Sequence, residues 1–249
     1  MSDIVKNKKR RLKISLIVTL SIIALIIIGC GIYLGDYYRA DMDSINAFSS
    51  MTGIEYIALD DGSIALGDEK ASTGFIFYPG GKVEHTAYIP LMASISSRGI
   101  LCVIAKMPFN LAVFDINAAS GLMADFPQIT EWYIGGHSLG GSMACSYLAS
   151  SIDKFKGLIL LGSYSTVDLS DTGVDVLSVY GSQDRVLNRE KYEECKENLP
   201  PDFSEKVIEG GCHAYFGMYG EQDGDGVASI TQSEQIKITA EVILEMINK

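Results

Sequence analysis

Basic charge is scarce beyond the first thirteen residues. Residues 1–13 hold six Lys and Arg against a single Asp, which leaves 14 basic and 30 acidic residues in the rest of the 249-residue chain. A segment carrying a net charge of −16 repels nucleic acid and anionic lipid surfaces, and no basic patch or aromatic stripe offsets it, so a nucleic-acid partner is excluded. Cysteine is sparse and odd in number, five in all, which excludes a disulfide framework in a domain large enough to bury its own core. Cys102 and Cys145 fall in an expected strand and helix and read as small core residues. A Cys195–Cys212 pair stays open, because sequence does not supply the geometry. Cys and His never recur at ligand spacing, so no metal and no cofactor is expected. Asp223-Gly224-Asp225-Gly226 lacks the length and terminal glutamate of a calcium loop and reads as a solvated turn. Internal repeats and low-complexity segments are missing as well.

One long apolar run is present. Ile14 to Leu34 is almost wholly apolar and uncharged, and at 1.5 Å per residue it spans roughly 31 Å, the thickness of a bilayer's hydrocarbon core. The basic residues before it place the N-terminus in the cytoplasm by the positive-inside rule, and Tyr33, Tyr37 and Tyr38 suit the aromatic belt at the far interface. The expected order is therefore a cytoplasmic basic segment (1–13), a transmembrane anchor (14–34), a short polar tether (35–52) and a folded domain (53–249) outside the cytoplasm. A cleaved signal is the rival reading, since Ile27-Ile28-Gly29-Cys30 has the form of a lipoprotein processing box. The apolar run continues past Cys30, however, where the apolar region of a signal peptide ends before its cleavage site.

Histidine is the scarcest of the chemically useful residues, at three, and this narrows the chemistry. Gly135-Gly136-His137-Ser138-Leu139-Gly140-Gly141 follows the apolar run Trp132-Tyr133-Ile134 and precedes a helix-compatible stretch, so Ser138 stands at a strand-to-helix corner. Glycine two positions either side is what so sharp a turn requires, and the corner makes Ser138 a candidate nucleophile. A serine hydroxyl needs a general base and a group to orient that base. His137 lies inside the turn, where its side chain points away from the hydroxyl, and reads as structural. His85 begins a helical pattern (Tyr88, Leu91, Met92, Ile95) and suits a helix start or the surface. His213 follows the strand-like run Lys206-Val207-Ile208-Glu209 in a loop with two glycines, and is the expected base. For the acid, 174–180 reads as a buried strand whose departing loop, Gly181-Ser182-Gln183-Asp184, puts Asp184 at the ligand-facing edge of a parallel sheet. The bland reading is a turn aspartate. Backbone amides for an oxyanion hole are expected at Gly81, in the Pro79-Gly80-Gly81 turn after the strand Gly74 to Tyr78, and at Leu139.

These segments resemble the α/β-hydrolases, and more narrowly the small membrane-anchored bacterial proteins of the alpha/beta hydrolase fold-5 group. The resemblance covers about residues 53 to 249. It is carried by Phe77-Tyr78-Pro79-Gly80-Gly81-Lys82-Val83-Glu84, Gly136-His137-Ser138-Leu139-Gly140-Gly141, Tyr180-Gly181-Ser182-Gln183-Asp184 and Glu209-Gly210-Gly211-Cys212-His213-Ala214-Tyr215-Phe216-Gly217. It implies a nucleophile at Ser138, an acid at Asp184, a base at His213 and an oxyanion loop at Gly80-Gly81. Cys212 departs from the small polar residue expected beside the histidine.

The wider pattern fits an α/β fold: an antiparallel hairpin (Ile54 to Leu59, Ser63 to Leu66), then strands near 74–78, 100–106, 132–135, 157–162, 174–180 and 205–209 with helices between. Such alternation implies a mostly parallel sheet covered on both faces. Thr231-x-x-Glu234 is a capping box opening a final helix with Ile236, Ile243 and Ile247 on one face. Only about ten residues, Ser165 to Val174, connect two of the strands at the place where a helical lid is often inserted, so no large lid is expected. A site without one favours small or surface-presented acyl substrates. Phe109 and Leu111, in the loop after the strand at 100–106, are the candidate acyl-binding residues. The expected activity is carboxylic-ester hydrolysis. An acyltransferase or peptidase using the same three residues, or an inactive surface-anchored binding protein of the same fold, remain the alternatives; nothing in the sequence fixes the oligomeric state.

Overall fold

A computed structural model describes residues 2–53 and 55–249. Ile54, where the hairpin was expected to begin, lies outside the described residues, as do the side chains of Lys6, Lys8, Lys9 and Arg10 in the expected basic segment. The chain divides into two units, 1–37 and 38–249. The first is helix α1 (Ser2–Gly35). Its portion from Arg11 to Gly35, 25 residues of mean hydropathy 2.7, is long and apolar enough to cross a membrane, and its large side chains from Leu12 to Tyr33 are exposed.

The second unit begins with an element the sequence reading took for a tether. Residues Met42–Thr52 form helix α2. Asp41 caps it by accepting from the Ser44 amide, Gly53 closes it in the left-handed region at φ 68°, and Ile45 is buried at 1 % exposure. Two apolar residues three apart, Ile45 and Phe48, are enough to seat a helix that already has both caps. Upstream, the Tyr38 amide donates to Lys82 O and the Asp41 amide to Met218 O, so the folded unit starts about fifteen residues earlier than expected.

After the short strands β1 (Tyr56–Ala58) and β2 (Ile64–Leu66) come β3 (Thr73–Tyr78), a 3-10 turn at His85–Tyr88, α3 (Ile89–Ser96), β4 (Leu101–Ile104), α4 (Ala118–Asp125), β5 (Glu131–His137), α5 (Leu139–Ala149), β6 (Phe155–Leu161), β7 (Asp175–Gly181), α6 (Arg189–Cys195), β8 (Ser204–Ile208) and α7 (Gln232–Ile247). The eight strands lie in the order β1-β2-β4-β3-β5-β6-β7-β8. Pairings β1/β2 and β2/β4 are antiparallel and the other five are parallel.

Both faces are covered, and the period-two alternation of the strands decides which side chain goes where. Phe75 and Phe77 pack with α3 and α7 (Leu91, Met92, Ile236, Ile243), whereas Ile76 and Tyr78 pack with α4 and α5 (Leu122, Ala144, Leu148). Cys102 joins the first layer and Cys145 the second, both fully buried. The Thr231–Glu234 capping box is formed in both directions. Between β6 and β7 the described residues contain no helix, so no helical lid is inserted at that connection.

Chain order against spatial order positions the site. From β3 the chain moves outward to β4 on one side and returns to β5 on the other, with Tyr78 paired to Gly136. The loops leaving β3 and β5 therefore diverge at a switch point of the sheet, where a crevice opens at the carboxyl edge.

Candidate active site

Ser138 is the corner between β5 and α5, at φ 52° and ψ −123°. A non-glycine residue is held there only when its surroundings over-determine it. They do: the Ser138 amide donates to Leu161 O at 2.9 Å, and Ser163 Oγ donates to Ser138 O at 2.7 Å. The turn also presses on the end of β3, since a Cβ on Gly140 would fall 2.2 Å from the carbonyl oxygens of both Tyr78 and Pro79. Glycine at that position is a packing requirement.

His213 and Asp184 meet as expected. Asp184 leaves β7, His213 follows β8, and Nδ1 of the histidine lies 2.8 Å from Oδ2 of the aspartate with side-chain exposures of 1 % and 0 %. A carboxylate only accepts, so the Nδ1–H donates, and in the neutral imidazole Nε2 then carries the lone pair. Asp184 Oδ1 is in turn fixed by the amides of Val186 (3.0 Å) and Leu187 (2.8 Å). His213 Nε2 is buried without a hydrogen-bond partner among the described residues. Ser138 and His213 line one cavity of about 240 Å³, together with Leu139, Ser142, Tyr164, Val186 and Asn188. The structure thus brings serine and histidine to the same wall without a bond between them, a common state of an unliganded site.

Gly81 and Leu139, expected as oxyanion donors, are neighbours. A Cβ on Gly81 would lie 2.9 Å from Leu139 Cδ2, and neither residue's amide donates to a protein acceptor among the described residues. The Gly80 amide, by contrast, is used: it donates to the Tyr88 hydroxyl at 3.1 Å. Leu111 comes beside Gly81, 3.6 Å from the same Cβ position. Phe109 does not turn inward. It is 59 % exposed, stands at φ 55°, and packs edge-on against Phe114 at 5.7 Å. Its turn does support the Pro79-Gly80-Gly81 loop, because Asn110 O accepts from the Lys82 amide at 2.7 Å.

Four contributors escaped the sequence reading. His137 does point away from Ser138 into the interior, where its Nδ1 meets the Tyr88 hydroxyl at 2.8 Å, but its ring also packs at a tilt against His213, 4.4 Å between centroids. Burial holds its pKa well below the usual imidazole range, and the neighbouring His213 acts in the same direction. Gly162, at φ 53°, faces the acid–base pair so closely that a Cβ would sit 2.9 Å from His213 Nδ1 and 3.2 Å from Asp184 Oδ2. A Gly-Ser pair ending an apolar strand run was the available signal. Gln235 of α7 clamps the base loop, accepting from the Cys212 amide (3.0 Å) and donating to Cys212 O (2.8 Å). Cys212 is therefore a packed core residue whose thiol burial pushes up to about 12. Finally, Asp225, expected in a solvated turn, accepts hydrogen bonds from the amides of Ala214 and Arg185. Nothing in the local sequence announces a partner forty residues away.

An open, mostly parallel sheet, with a serine on a strained strand-to-helix corner and a buried His–Asp pair beyond the next strand ends, defines an α/β-hydrolase fold. The sequence profile of the alpha/beta hydrolase family matches residues 74–237, and the chain belongs to that family. A search of curated proteins finds no match. Among solved structures, the chain is similar to Est1E from Butyrivibrio proteoclasticus (TM-score 0.55, 17 % identity, 79 % of this chain and 99 % of that one). It is similar also to a dienelactone hydrolase from Anabaena variabilis (TM-score 0.55, 14 % identity, 78 % and 97 %). A membrane phospholipase A described as a bacterial virulence factor aligns over 96 % of this chain and 98 % of its own, with TM-score 0.59 and 12 % identity. At these identities the likeness is one of fold.

Proposed function

We propose that the protein is a serine hydrolase of carboxylic esters. Ser138 attacks the carbonyl carbon while His213 Nε2 takes the hydroxyl proton. The imidazolium so formed is stabilised by Asp184 through Nδ1. The amides of Gly81 and Leu139 receive the oxyanion, and His213 returns the proton to the leaving alcohol. Water then repeats the sequence to free the acid.

The observation that carries this reading is the 2.8 Å contact of His213 Nδ1 with a carboxylate whose other oxygen is already fixed by two amides. That arrangement leaves Nε2 as the basic nitrogen, on the cavity wall it shares with Ser138. A cavity of about 240 Å³ without an inserted helical lid suits short acyl or alcohol groups better than a long chain enclosed on all sides. A membrane phospholipase A and a dienelactone hydrolase among the structural neighbours agree with the class. The same reading places α1 in a membrane as an uncleaved anchor, N-terminus inside, with the hydrolase domain on the outer side. Its apolar side chains are exposed over a length that water does not tolerate.

The test is turnover of a short p-nitrophenyl ester by the full chain and by Ser138→Ala, with circular dichroism to verify folding. Loss of turnover in a folded variant supports the assignment, and unchanged turnover removes it. Alkaline extraction of membranes tests the anchor: a chain of intact mass retained with lipid agrees with it, and a lipidated chain beginning at Cys30 overturns it.

A further inference from the structure

Asp223-Gly224-Asp225-Gly226 forms the expected turn, exposed at Asp223 and Gly224, but its third residue is engaged by the protein. Asp225 Oδ2 accepts from the Ala214 amide at 2.8 Å, and Oδ1 accepts from the Arg185 amide at 3.3 Å. Ala214 directly follows His213, and Arg185 directly follows Asp184. One carboxylate therefore reaches both loops of the acid–base pair, each at the residue just past its functional side chain. The next residue tightens the joint: a Cβ on Gly226 would lie 1.8 Å from Gln183 O, so the turn rests against the acid loop with no room for a side chain. Other links between these loops lie nearer the strand ends, at Gln183 N to Gly211 O (2.8 Å) and Gly210 N to Ser182 Oγ (2.8 Å). Beyond the catalytic pair, Asp225 is what spans the gap.

We infer that Asp225 is a positioning residue for the proposed reaction, holding the loop of Asp184 and the loop of His213 at the separation that makes the Nδ1–H···Oδ2 bond. This rests on the reading of Ser138, His213 and Asp184 as a triad. The chemistry of the position is specific. N–H donors from the two loops converge on the two oxygens, Ala214 on Oδ2 and Arg185 on Oδ1, which also accepts from the Gly226 amide at 2.7 Å, and a carboxylate satisfies both ends. An asparagine satisfies only one, since its NH2 then faces the other N–H. Asparagine serves as well as aspartate in an ordinary turn, so Asp225→Asn separates the two roles.

The experiment compares the full detergent-solubilised chain with Asp225→Asn and with Asp223→Asn, an exposed acid of the same turn whose carboxylate makes no bond to either loop among the described residues. Three quantities are read: kcat and KM on a short p-nitrophenyl ester, the thermal midpoint, and the low-field proton resonance of the His213 Nδ1–H. In Asp225→Asn we expect kcat to fall by about tenfold to a hundredfold, as for a small displacement of a catalytic group. KM should stay within about twofold, and the low-field resonance should be broadened or lost. Asp223→Asn should match wild type in all three. An Asp225→Asn protein with wild-type kcat and an unaltered resonance overturns the inference, as does a fall in kcat that merely follows the folded fraction while the resonance persists. The resonance needs no turnover, so a chain without esterase activity would remove the triad reading and still leave the positioning role decided by the spectrum.

Discussion

The imidazole ring of His137 lies 4.4 Å from that of His213, centroid to centroid, inclined at 45°. The first is linked to the Gly80–Gly81 turn through Tyr88, whose hydroxyl accepts from the Gly80 amide and lies 2.8 Å from His137 Nδ1. A chain of contacts thus runs from that turn to the back of the proposed base. Removing the ring in His137→Ala takes away the surface on which His213 rests and is expected to lower kcat by about a hundredfold. His137→Phe restores a flat ring and should recover at least about tenfold of that loss, as measured by steady-state kinetics on one ester. Equal losses in the two variants would remove the packing role.

His137 also sets a pH dependence of stability. Its folded pKa is held well below the unfolded value of 6.5 by burial, so between these values the unfolded chain binds a proton that the native chain does not. The contribution is complete above pH 6.5 and is lost as pH falls from there toward the folded pKa. His85, lowered by burial, acts in the same sense. The thermal midpoint should therefore drop between pH 7 and pH 5, and His137→Phe should drop less over that interval. Calorimetry of both proteins across the interval checks the difference.

Gly162→Ala probes the space around the acid–base pair. The added methyl meets His213 Nδ1 at 2.9 Å and Asp184 Oδ2 at 3.2 Å, from a backbone at φ 53° that alanine disfavours. Because that methyl crowds both groups from one side, the variant is expected to lose about tenfold or more in kcat. Retention of wild-type kcat would contradict the geometry.

Gln235→Ala removes both hydrogen bonds to the Cys212 backbone and leaves a buried N–H and C=O unpaired. The expected cost is about 1–3 kcal/mol of stability, read from urea unfolding, with a parallel loss of activity because His213 follows immediately.

Legibility followed the range of the interactions. The alternating strand pattern and the glycines of the Ser138 corner record local geometry, so the parallel sheet, the corner and the loops bearing Asp184 and His213 were readable from the residues themselves. Helix α2 was missed because its apolar face is only Ile45 and Phe48, too short for a periodic signal, although its caps at Asp41 and Gly53 were visible. Phe109 was expected inward because it is apolar and its loop leaves the strand at 100–106 beside the Ser138 corner. The left-handed backbone at Phe109 and Asn110 turns it to solvent instead. The contacts of His137, Gln235 and Asp225 join residues 11 to 49 positions apart through one or two hydrogen bonds each. Neither periodicity nor spacing carries information about such bonds.

Labelling with a fluorophosphonate probe tests the central claim most directly, because it reports an activated serine without assuming a substrate. The account predicts one covalent adduct, mapped by peptide mass spectrometry to Ser138 and abolished in Ser138→Ala and His213→Ala. A folded wild-type chain that stays unlabelled, or that is labelled at another residue, would contradict it.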